Sequence, residues 1–127
     1  MNTKPMWSFL LVDPNPIASR SVVGQLAYYG YTVHTEENGR EALNYLHNHL
    51  RSTDLILLDN EIEDIPAKKI VLAFKKLNQN IPIILLTREK RAAAPKQESP
   101  YGVLGQIKRP IRTDRLLSLI AQGLGLS

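Results

Sequence analysis

Short runs of aliphatic residues alternate with longer amphipathic stretches along the chain. A run of about four apolar residues predicts a strand buried on both faces, as in a parallel sheet. Together with shorter apolar stretches, such runs predict five strands, at Ser8–Val12, Tyr31–Thr35, Leu55–Leu58, Ile83–Leu86 and Val103–Ile107. The sequence therefore predicts an α/β domain in which strands and helices alternate.

The stretches between these strands place apolar residues on one side of a helix. The predicted helices begin at Pro16, near Asn38 or Gly39, at Pro66 and next to a cap at Thr113. Asn15 is the expected cap of the first helix, and Gly30 is expected to end it. The residues predicted to face the core are Val22, Val23, Leu26 and Tyr29, then Ala42, Leu43, Leu46 and Leu50, then Ile70, Val71, Phe74 and Leu77, and finally Leu116, Leu117 and Ile120.

The segment from Arg88 to Tyr101 breaks this pattern. It contains Pro95 and Pro100 and has almost no apolar periodicity. Because proline inside a helix costs about 3 kcal/mol or more, we expect a short or irregular fourth helix, with at most two turns before Pro95. The chain as a whole, residues 1–127, then predicts a single (βα)5 domain of the flavodoxin-like, doubly wound type, with strand order 2-1-3-4-5.

Length and composition narrow the functional classes. The chain has 127 residues, enough for one domain with a buried core, and it contains no cysteine. Disulfides, thiolate metal ligands and thiol nucleophiles are therefore excluded. No apolar segment approaches the roughly 20 residues of a membrane span, and the N-terminus lacks the apolar region of a signal peptide. We expect a cytoplasmic protein that does not bind a membrane.

The formal net charge of +4 is concentrated in one segment, Arg88–Arg115, which we call the basic face. It holds eight of the 16 lysine and arginine residues and only three acidic residues. A basic surface attracts acidic proteins or nucleic acid. Because its charges do not alternate with aromatic residues that could stack on bases, we expect solvent or a partner protein there, not direct binding of nucleic acid.

Two of the predicted strands end in an acidic residue. Asp59 follows the run Leu55–Leu58, and Asp13 follows Phe9–Val12. Open α/β sheets bind their ligands at the carboxyl ends of the strands. If the two strands are neighbours, both carboxylates meet at one edge of the sheet, an arrangement suited to a divalent cation and a phosphoryl group.

Four short motifs carry a family resemblance. LLVDPNP follows the first strand, DLILLD contains the third, LLT closes the fourth at Thr87, and IKRPI follows the fifth. In this order and at these separations, they resemble the receiver domain of two-component response regulators over essentially the whole chain. The resemblance implies a signalling domain without an enzymatic activity of its own.

The resemblance also implies roles for individual residues. Asp59 would accept a phosphoryl group from a histidine kinase or a phosphotransfer protein, with Mg²⁺ neutralising the transferred oxygens. Thr87 would hydrogen-bond the new phosphoryl group, and a basic residue before Pro110 would pair with it. The peptide bond between Arg109 and Pro110 is expected to be cis, as is usual in this family.

The acidic motif departs from the family pattern. Pro14 stands where the family has a second acid, the one that binds the metal directly. We therefore expect Mg²⁺ to bind weakly or not at all. A residual site would use Asp13, Asp59 and Glu61. Alternatively, Glu61 is simply an exposed acid of the loop.

The basic positions depart from the pattern as well. Arg109 precedes Pro110 where the family has lysine, and Lys108 comes one residue too early. Strand alternation sends these two side chains to opposite faces, so only one of them can reach the pocket. Arg88 follows Thr87 where a small residue is usual. It would either obstruct the pocket or pair with one of the two carboxylates.

Two functional hypotheses follow. The chain is either a receiver that is phosphorylated on Asp59, or a degenerate receiver that acts through protein interaction or dimerisation without phosphate. In both cases the partner protein or an output domain is expected at the basic face. A nucleotide-binding enzyme is the third class, but the chain has neither G-x-G-x-x-G nor G-x-x-x-x-G-K-[ST]. His34, His47 and His49 do not have the spacing of metal ligands.

Overall fold

Five parallel strands form one sheet in the order β2-β1-β3-β4-β5, which confirms the predicted topology. The structure is a computed structural model, and it describes residues 6–88 and 100–126. The strands are β1 Ser8–Val12, β2 Thr32–Glu36, β3 Leu55–Asp59, β4 Ile83–Arg88 and β5 Gly105–Arg109.

Four α-helices lie within the described residues: α1 Pro16–Tyr28, α2 Gly39–Asn48, α3 Ala67–Leu77 and α4 Thr113–Leu124. A single 3₁₀ turn at Leu50–Ser52 precedes β3, and a turn at Pro100–Gly102, in which Tyr101 has a positive φ of 58°, precedes β5. The short or irregular helix predicted between β4 and β5 falls mainly on residues 89–99, outside the described residues, and stays a prediction. None of the described helices is long and apolar enough to cross a membrane.

The predicted starts of the first two helices are confirmed by their caps. The Asn15 side chain accepts the N–H groups of Ile17 and Ala18 at 2.9 and 3.1 Å, and Pro16 takes the first helical position. The Asn38 side chain accepts the N–H of Glu41 at 2.8 Å. The loop following β1 therefore ends in a fixed cap, which positions Asp13 next to it.

The predicted cap of the last helix is wrong. Thr113 is the first helical residue, and Arg112 holds the cap position without a side-chain hydrogen bond. The Thr113 hydroxyl instead donates to the Gln25 side chain of α1, at 3.3 Å. The hydroxyl thus links two helices on the same face of the sheet.

Two strands lie further along the chain than predicted. β2 begins at Thr32 because the N–H of Tyr31 still bonds to the carbonyl of Leu26 at the end of α1. β5 begins at Gly105 instead of Val103, and Arg109 is its last residue. As an edge strand, β5 alternates between exposed and buried positions, so its sequence lacks the aliphatic run that identifies a strand buried on both faces.

The sheet separates two apolar cores. On one face, α2 and α3 contribute the predicted core residues Ala42, Leu46, Ile70, Val71 and Phe74. On the other face, α1 and α4 contribute Val22, Leu26, Leu116 and Ile120, together with Leu119, which the helical pattern had not singled out. Tyr29, predicted for the core, is 49% exposed because α1 ends just before it.

The central strand β3 is buried along its entire length, from Leu55 to Asp59. Its neighbours β1 and β4 cover both of its edges, and helices cover both of its faces. Burying an aliphatic side chain of this size stabilises a fold by about 1.5–3 kcal/mol. The apolar run thus ends in a carboxylate that is fixed by the most buried strand of the domain.

Candidate functional site

Asp13 and Asp59 meet at the carboxyl edge of the sheet. Asp59 ends β3, and Asp13 directly follows β1, which pairs with β3 in parallel. Each side chain is only 1% exposed. Two carboxylates that are almost completely removed from water need a positive partner or hydrogen-bond donors to remain charged.

Arg109 supplies this partner. Its Nη2 atom donates to Oδ2 of Asp13 at 2.9 Å and to Oδ2 of Asp59 at 2.8 Å. The Arg109 side chain, 16% exposed, reaches these carboxylates from β5, and β4 lies between β5 and β3 in the sheet. A single guanidinium nitrogen therefore joins both carboxylates, and the three groups together carry a formal charge of −1.

The remaining carboxylate oxygens are held by the backbone. Oδ1 of Asp13 accepts the N–H of Asn15 at 2.9 Å, and Oδ1 of Asp59 accepts the N–H of Glu61 at 2.6 Å. Both contacts span two residues, the spacing of an Asx turn. Each carboxylate is thus fixed by one backbone donor and by the same arginine.

One donor of Arg109 has no partner. Its Nε atom is buried, and no hydrogen-bond acceptor contacts it within the described residues. A buried donor without an acceptor costs about 1–3 kcal/mol, so native structures rarely leave one unpaired. The orphaned N–H belongs to the same guanidinium that binds Asp59, which makes it part of the candidate site.

The other predicted site residues lie around this cluster. Lys108 is exposed, so the structure brings Arg109 rather than Lys108 to the carboxylates. Thr87 is partly buried and follows Leu86, the register partner of Asp59. No hydrogen bond joins the Thr87 hydroxyl to Asp59 among the side chains that the structure describes.

The interpretation of Arg88 as the residue that fills the pocket is wrong. Arg88 is exposed, although it is the register partner of Arg109 on the neighbouring strand. Arg109 already makes the contacts to both carboxylates that were considered for Arg88. The Arg109 side chain crosses β4 from the end of β5 to reach the carboxylates, so the positive charge of the pocket comes from the edge strand.

The residues of the pocket do not fit a directly bound Mg²⁺. Among residues 6–88 and 100–126, no three acidic or histidine side chains are grouped closely enough to hold a metal. The Glu61 side chain is exposed, so the predicted set of Asp13, Asp59 and Glu61 does not assemble. Pro14 offers no oxygen ligand from its side chain, and Oδ2 of each carboxylate is already bonded to Nη2 of Arg109.

The loop after Asp59 is anchored by a residue that the sequence did not single out as functional. The Asp64 carboxylate accepts the N–H groups of Gly39 and Arg40, at 2.8 and 2.9 Å, at the start of α2. Desolvation raises the pKa of Asp64, but these and further backbone hydrogen bonds outweigh it, so its pKa lies below the usual value. No local sequence signal links residues so far apart in the chain.

His34 and His49 pack against Tyr45, His47 is exposed, and no metal-binding group of His, Asp or Glu occurs in the described part of the chain. The rings of His34 and Tyr45 stack with centroids 3.8 Å apart, and those of Tyr45 and His49 with centroids 4.0 Å apart. His34 also contacts Glu36 on the same edge strand at 2.6 Å. Burial, together with the charge of Glu36, raises the pKa of Tyr45.

The comparisons with known proteins identify the class. A family model described as the response regulator receiver domain matches residues 9–121. Its coverage of nearly the whole chain agrees with the doubly wound sheet and with the acidic pocket at its carboxyl edge. The chain belongs to the response regulator receiver family and is a receiver domain of two-component signal transduction.

Curated relatives include complete regulators and sensors. The transcriptional regulatory protein GlrR of Escherichia coli is 27% identical over 98% of this chain, which corresponds to 27% of GlrR. The sensor histidine kinase RcsC of Salmonella typhi is 25% identical over 88% of this chain and 12% of RcsC. The chain therefore spans about a quarter of the length of GlrR and about an eighth of the length of RcsC.

Solved structures agree with the fold. A response regulator receiver domain from Clostridium thermocellum has a TM-score of 0.82 at 16% identity and covers 94% of this chain and 95% of that one. The chemotaxis response regulator CheY4 of Vibrio cholerae has a TM-score of 0.78 at 26% identity and covers 94% of this chain and all of CheY4. Receiver domains of this family typically bind Mg²⁺ in the acidic pocket.

Proposed function

We propose that this receiver domain accepts a phosphoryl group on Asp59 and thereby relays a two-component signal. The observation that carries the proposal is the environment of Asp59. The carboxylate is buried at the end of the central strand and bonded at once to Arg109 and to the N–H of Glu61. A nucleophile held in one orientation beside a positive charge is what phosphoryl transfer requires.

The reaction itself is an in-line transfer. An oxygen of Asp59 forms a bond to phosphorus while the bond between phosphorus and a histidine nitrogen of the donor breaks. That nitrogen keeps the electron pair and takes up a proton, and the product is an aspartyl phosphate. Arg109 neutralises charge on the phosphoryl oxygens, and the Thr87 hydroxyl hydrogen-bonds one of them.

The donor is a histidine kinase or a phosphotransfer protein. The relatives support this choice, since one is named a sensor histidine kinase and another a transcriptional regulatory protein. We place the output contact, with a second domain, a partner protein or a second copy of the chain, at the basic face. Arg88, Lys108 and Arg115 are exposed in this segment, which also contains the pocket residue Arg109. The domain does not turn over a substrate of its own and works in the cytoplasm.

Mg²⁺ has at most a weak role in this proposal. A cation that coordinated both carboxylates would have to displace Nη2 of Arg109, which already bridges them. The Pro14 side chain adds no ligand that would offset this loss.

A second candidate function is a receiver that works without phosphate, as a protein-interaction or dimerisation module. The specific observation in its favour is the same ion-pair cluster. Arg109 pairs with both Asp13 and Asp59 in the unmodified protein, so each carboxylate has a positive partner without a metal or a phosphoryl group. In this case the basic face would bind its partner constitutively.

Acetyl phosphate separates the two functions. One sample of the full chain is incubated with acetyl phosphate, and its intact mass is recorded. A second sample is incubated with beryllofluoride, a non-covalent mimic of the phosphoryl group, and its NMR spectrum is recorded. The proposal predicts a mass increase of one phosphoryl group, lost in Asp59→Asn, and beryllofluoride shifts centred on the pocket. A folded protein that shows neither response supports the phosphate-independent module instead.

A further inference from the structure

We infer that Arg109 replaces the divalent cation of this receiver, so that phosphoryl transfer to Asp59 does not depend on Mg²⁺. The inference rests on the proposed function and specifies which group supplies the positive charge. It follows from three features of the pocket, which are the position of Nη2, the unpartnered Nε and the charge balance.

The first feature is the position of Nη2. It lies 2.9 Å from Oδ2 of Asp13 and 2.8 Å from Oδ2 of Asp59, in contact with both buried carboxylates. A cation bound directly to these two oxygen atoms would have to compete with the guanidinium for them. Because removing one partner of a buried ion pair leaves an uncompensated charge, the guanidinium is not easily displaced.

The second feature is the unpartnered Nε. A guanidinium presents its donors in a planar fork that matches two oxygens of a carboxylate or phosphoryl group. In Arg109, Nη2 is used by the carboxylates, and Nε is buried without an acceptor in the described structure. A phosphoryl group on Asp59 would bring additional acceptor oxygens next to this guanidinium and would satisfy Nε.

The third feature is charge. Asp13, Asp59 and Arg109 together carry −1 instead of the −2 of the two carboxylates alone, so the pocket attracts an entering Mg²⁺ ion less strongly. The arginine that offsets part of the negative charge thus also weakens the metal site. Pro14 acts in the same direction, because it supplies no carboxylate that would raise the affinity for the metal.

The direct test compares phosphorylation with and without metal. The full chain is incubated with acetyl phosphate in Mg²⁺ or in EDTA, and the extent of the aspartyl phosphate adduct is followed by intact mass. We expect the extent of phosphorylation with EDTA to be within about twofold of that with Mg²⁺, because the Arg109 side chain supplies the required positive charge. An adduct that forms only with Mg²⁺ overturns the inference and leaves the proposed function standing. No adduct under either condition overturns the proposed function, and the inference with it.

Metal binding provides a second readout that does not depend on phosphorylation. Mg²⁺ is titrated calorimetrically into the wild-type protein, Arg109→Gln and Arg109→Lys, with Arg112→Gln as a control of equal charge change. Arg112 is exposed and pairs only with the exposed Asp114 in the described structure. We expect Arg109→Gln to bind Mg²⁺ about tenfold or more tightly than the wild type, because two buried carboxylates then lack their counter-ion.

Arg109→Lys keeps a positive charge, and it replaces Arg109→Gln in the Mg²⁺ titration if Arg109→Gln does not fold. Its ammonium is a mobile point charge without a planar fork, so we expect Mg²⁺ affinity above that of the wild type. Arg112→Gln should bind Mg²⁺ as the wild type does. Equal Mg²⁺ affinities in the wild type and the folded Arg109 variants would overturn the inference, whatever the phosphorylation result.

Discussion

The guanidinium of Arg109 donates a hydrogen bond of 2.8 Å to the carboxylate of Asp59, across 50 residues of sequence and over the intervening strand β4. The same nitrogen binds Asp13. This contact connects the edge strand β5, the central strand β3 and the end of β1, so it fixes the pocket and stabilises the fold at the same time.

Arg109→Gln should therefore be strongly destabilising. Removing one partner from a buried ion-pair cluster costs about 3–5 kcal/mol, because the remaining charges have lost their compensation. The free energy of unfolding from urea titration at neutral pH measures this loss. Arg112→Gln is the matched control and should change stability much less than Arg109→Gln, since both residues of its ion pair are exposed. Similar losses in the two variants would refute a structural role for the cluster.

The coupling between Arg109 and Asp59 can be isolated in a double-mutant cycle. Asp59→Asn removes one negative charge and leaves Asp13 to pair with the arginine, so it should cost less stability than Arg109→Gln. Because the two residues are in direct contact, the cycle should give a coupling energy of about 0.5–3 kcal/mol by urea unfolding. Strictly additive losses would mean that the contact does not form in solution.

Asp64 should make stability depend on pH. Its pKa is lower in the folded protein than the usual 3.8. Desolvation raises this pKa, but hydrogen bonds from backbone N–H groups, including those of Gly39 and Arg40 at the start of α2, favour the charged form more strongly. A depressed folded pKa contributes stability above the unfolded pKa, and this contribution is lost as the pH falls through the folded pKa. Asp64→Asn should thus be less stable than the wild type at neutral pH, and the difference should shrink below the usual pKa.

The measurement for Asp64 is urea unfolding of the wild type and Asp64→Asn from neutral to acid pH. Glu63→Gln is the control, because this neighbouring acid is exposed and makes no hydrogen bond to α2 in the described structure. A constant difference between wild type and Asp64→Asn at all pH values would contradict the assignment.

Two helical glycines should respond to alanine in opposite directions. A Cβ at Gly24 in α1 meets no atom within 4 Å, so Gly24→Ala should raise stability by about 0.5–1 kcal/mol through helix propensity. A Cβ at Gly123 in α4 would lie 3.0 Å from Leu104, 3.1 Å from Leu55 and 3.1 Å from Pro82. Gly123→Ala should therefore gain the same propensity but lose about 1–3 kcal/mol to overpacking. Thermal melts of the two variants compare them directly, and an equal gain in both would show that α4 is not held so closely to the sheet.

The sheet could be predicted because its inner strands consist mainly of consecutive aliphatic residues. The run Leu55–Leu58 and the run Phe9–Val12 locate β3 and β1, and the acid that ends each run locates half of the pocket. β5 was placed two residues too early because an edge strand with one exposed face alternates and gives no such run.

The ion-pair cluster could be predicted only in part. Strand alternation indicated that Lys108 and Arg109 point to opposite faces, but sequence spacing does not encode how far a side chain reaches across a neighbouring strand. The sequence therefore allows Arg88, which is closer to Asp59 along the chain, as the pairing residue. In the structure Arg109 forms the ion pair with Asp59. The contact from Asp64 to the start of α2 is likewise set by tertiary packing and carries no local signature.

The most direct test of the account locates the phosphoryl group on the chain. After incubation with acetyl phosphate, trypsin cleavage after Arg51 and Lys68 releases the peptide 52–68, which contains Asp54, Asp59 and Asp64. Fragmentation of this peptide in a mass spectrometer tells the three aspartates apart. We expect the phosphoryl group on Asp59 alone, whereas a group on Asp54 or Asp64, or an unmodified peptide from folded protein, would contradict the proposed phosphoryl transfer.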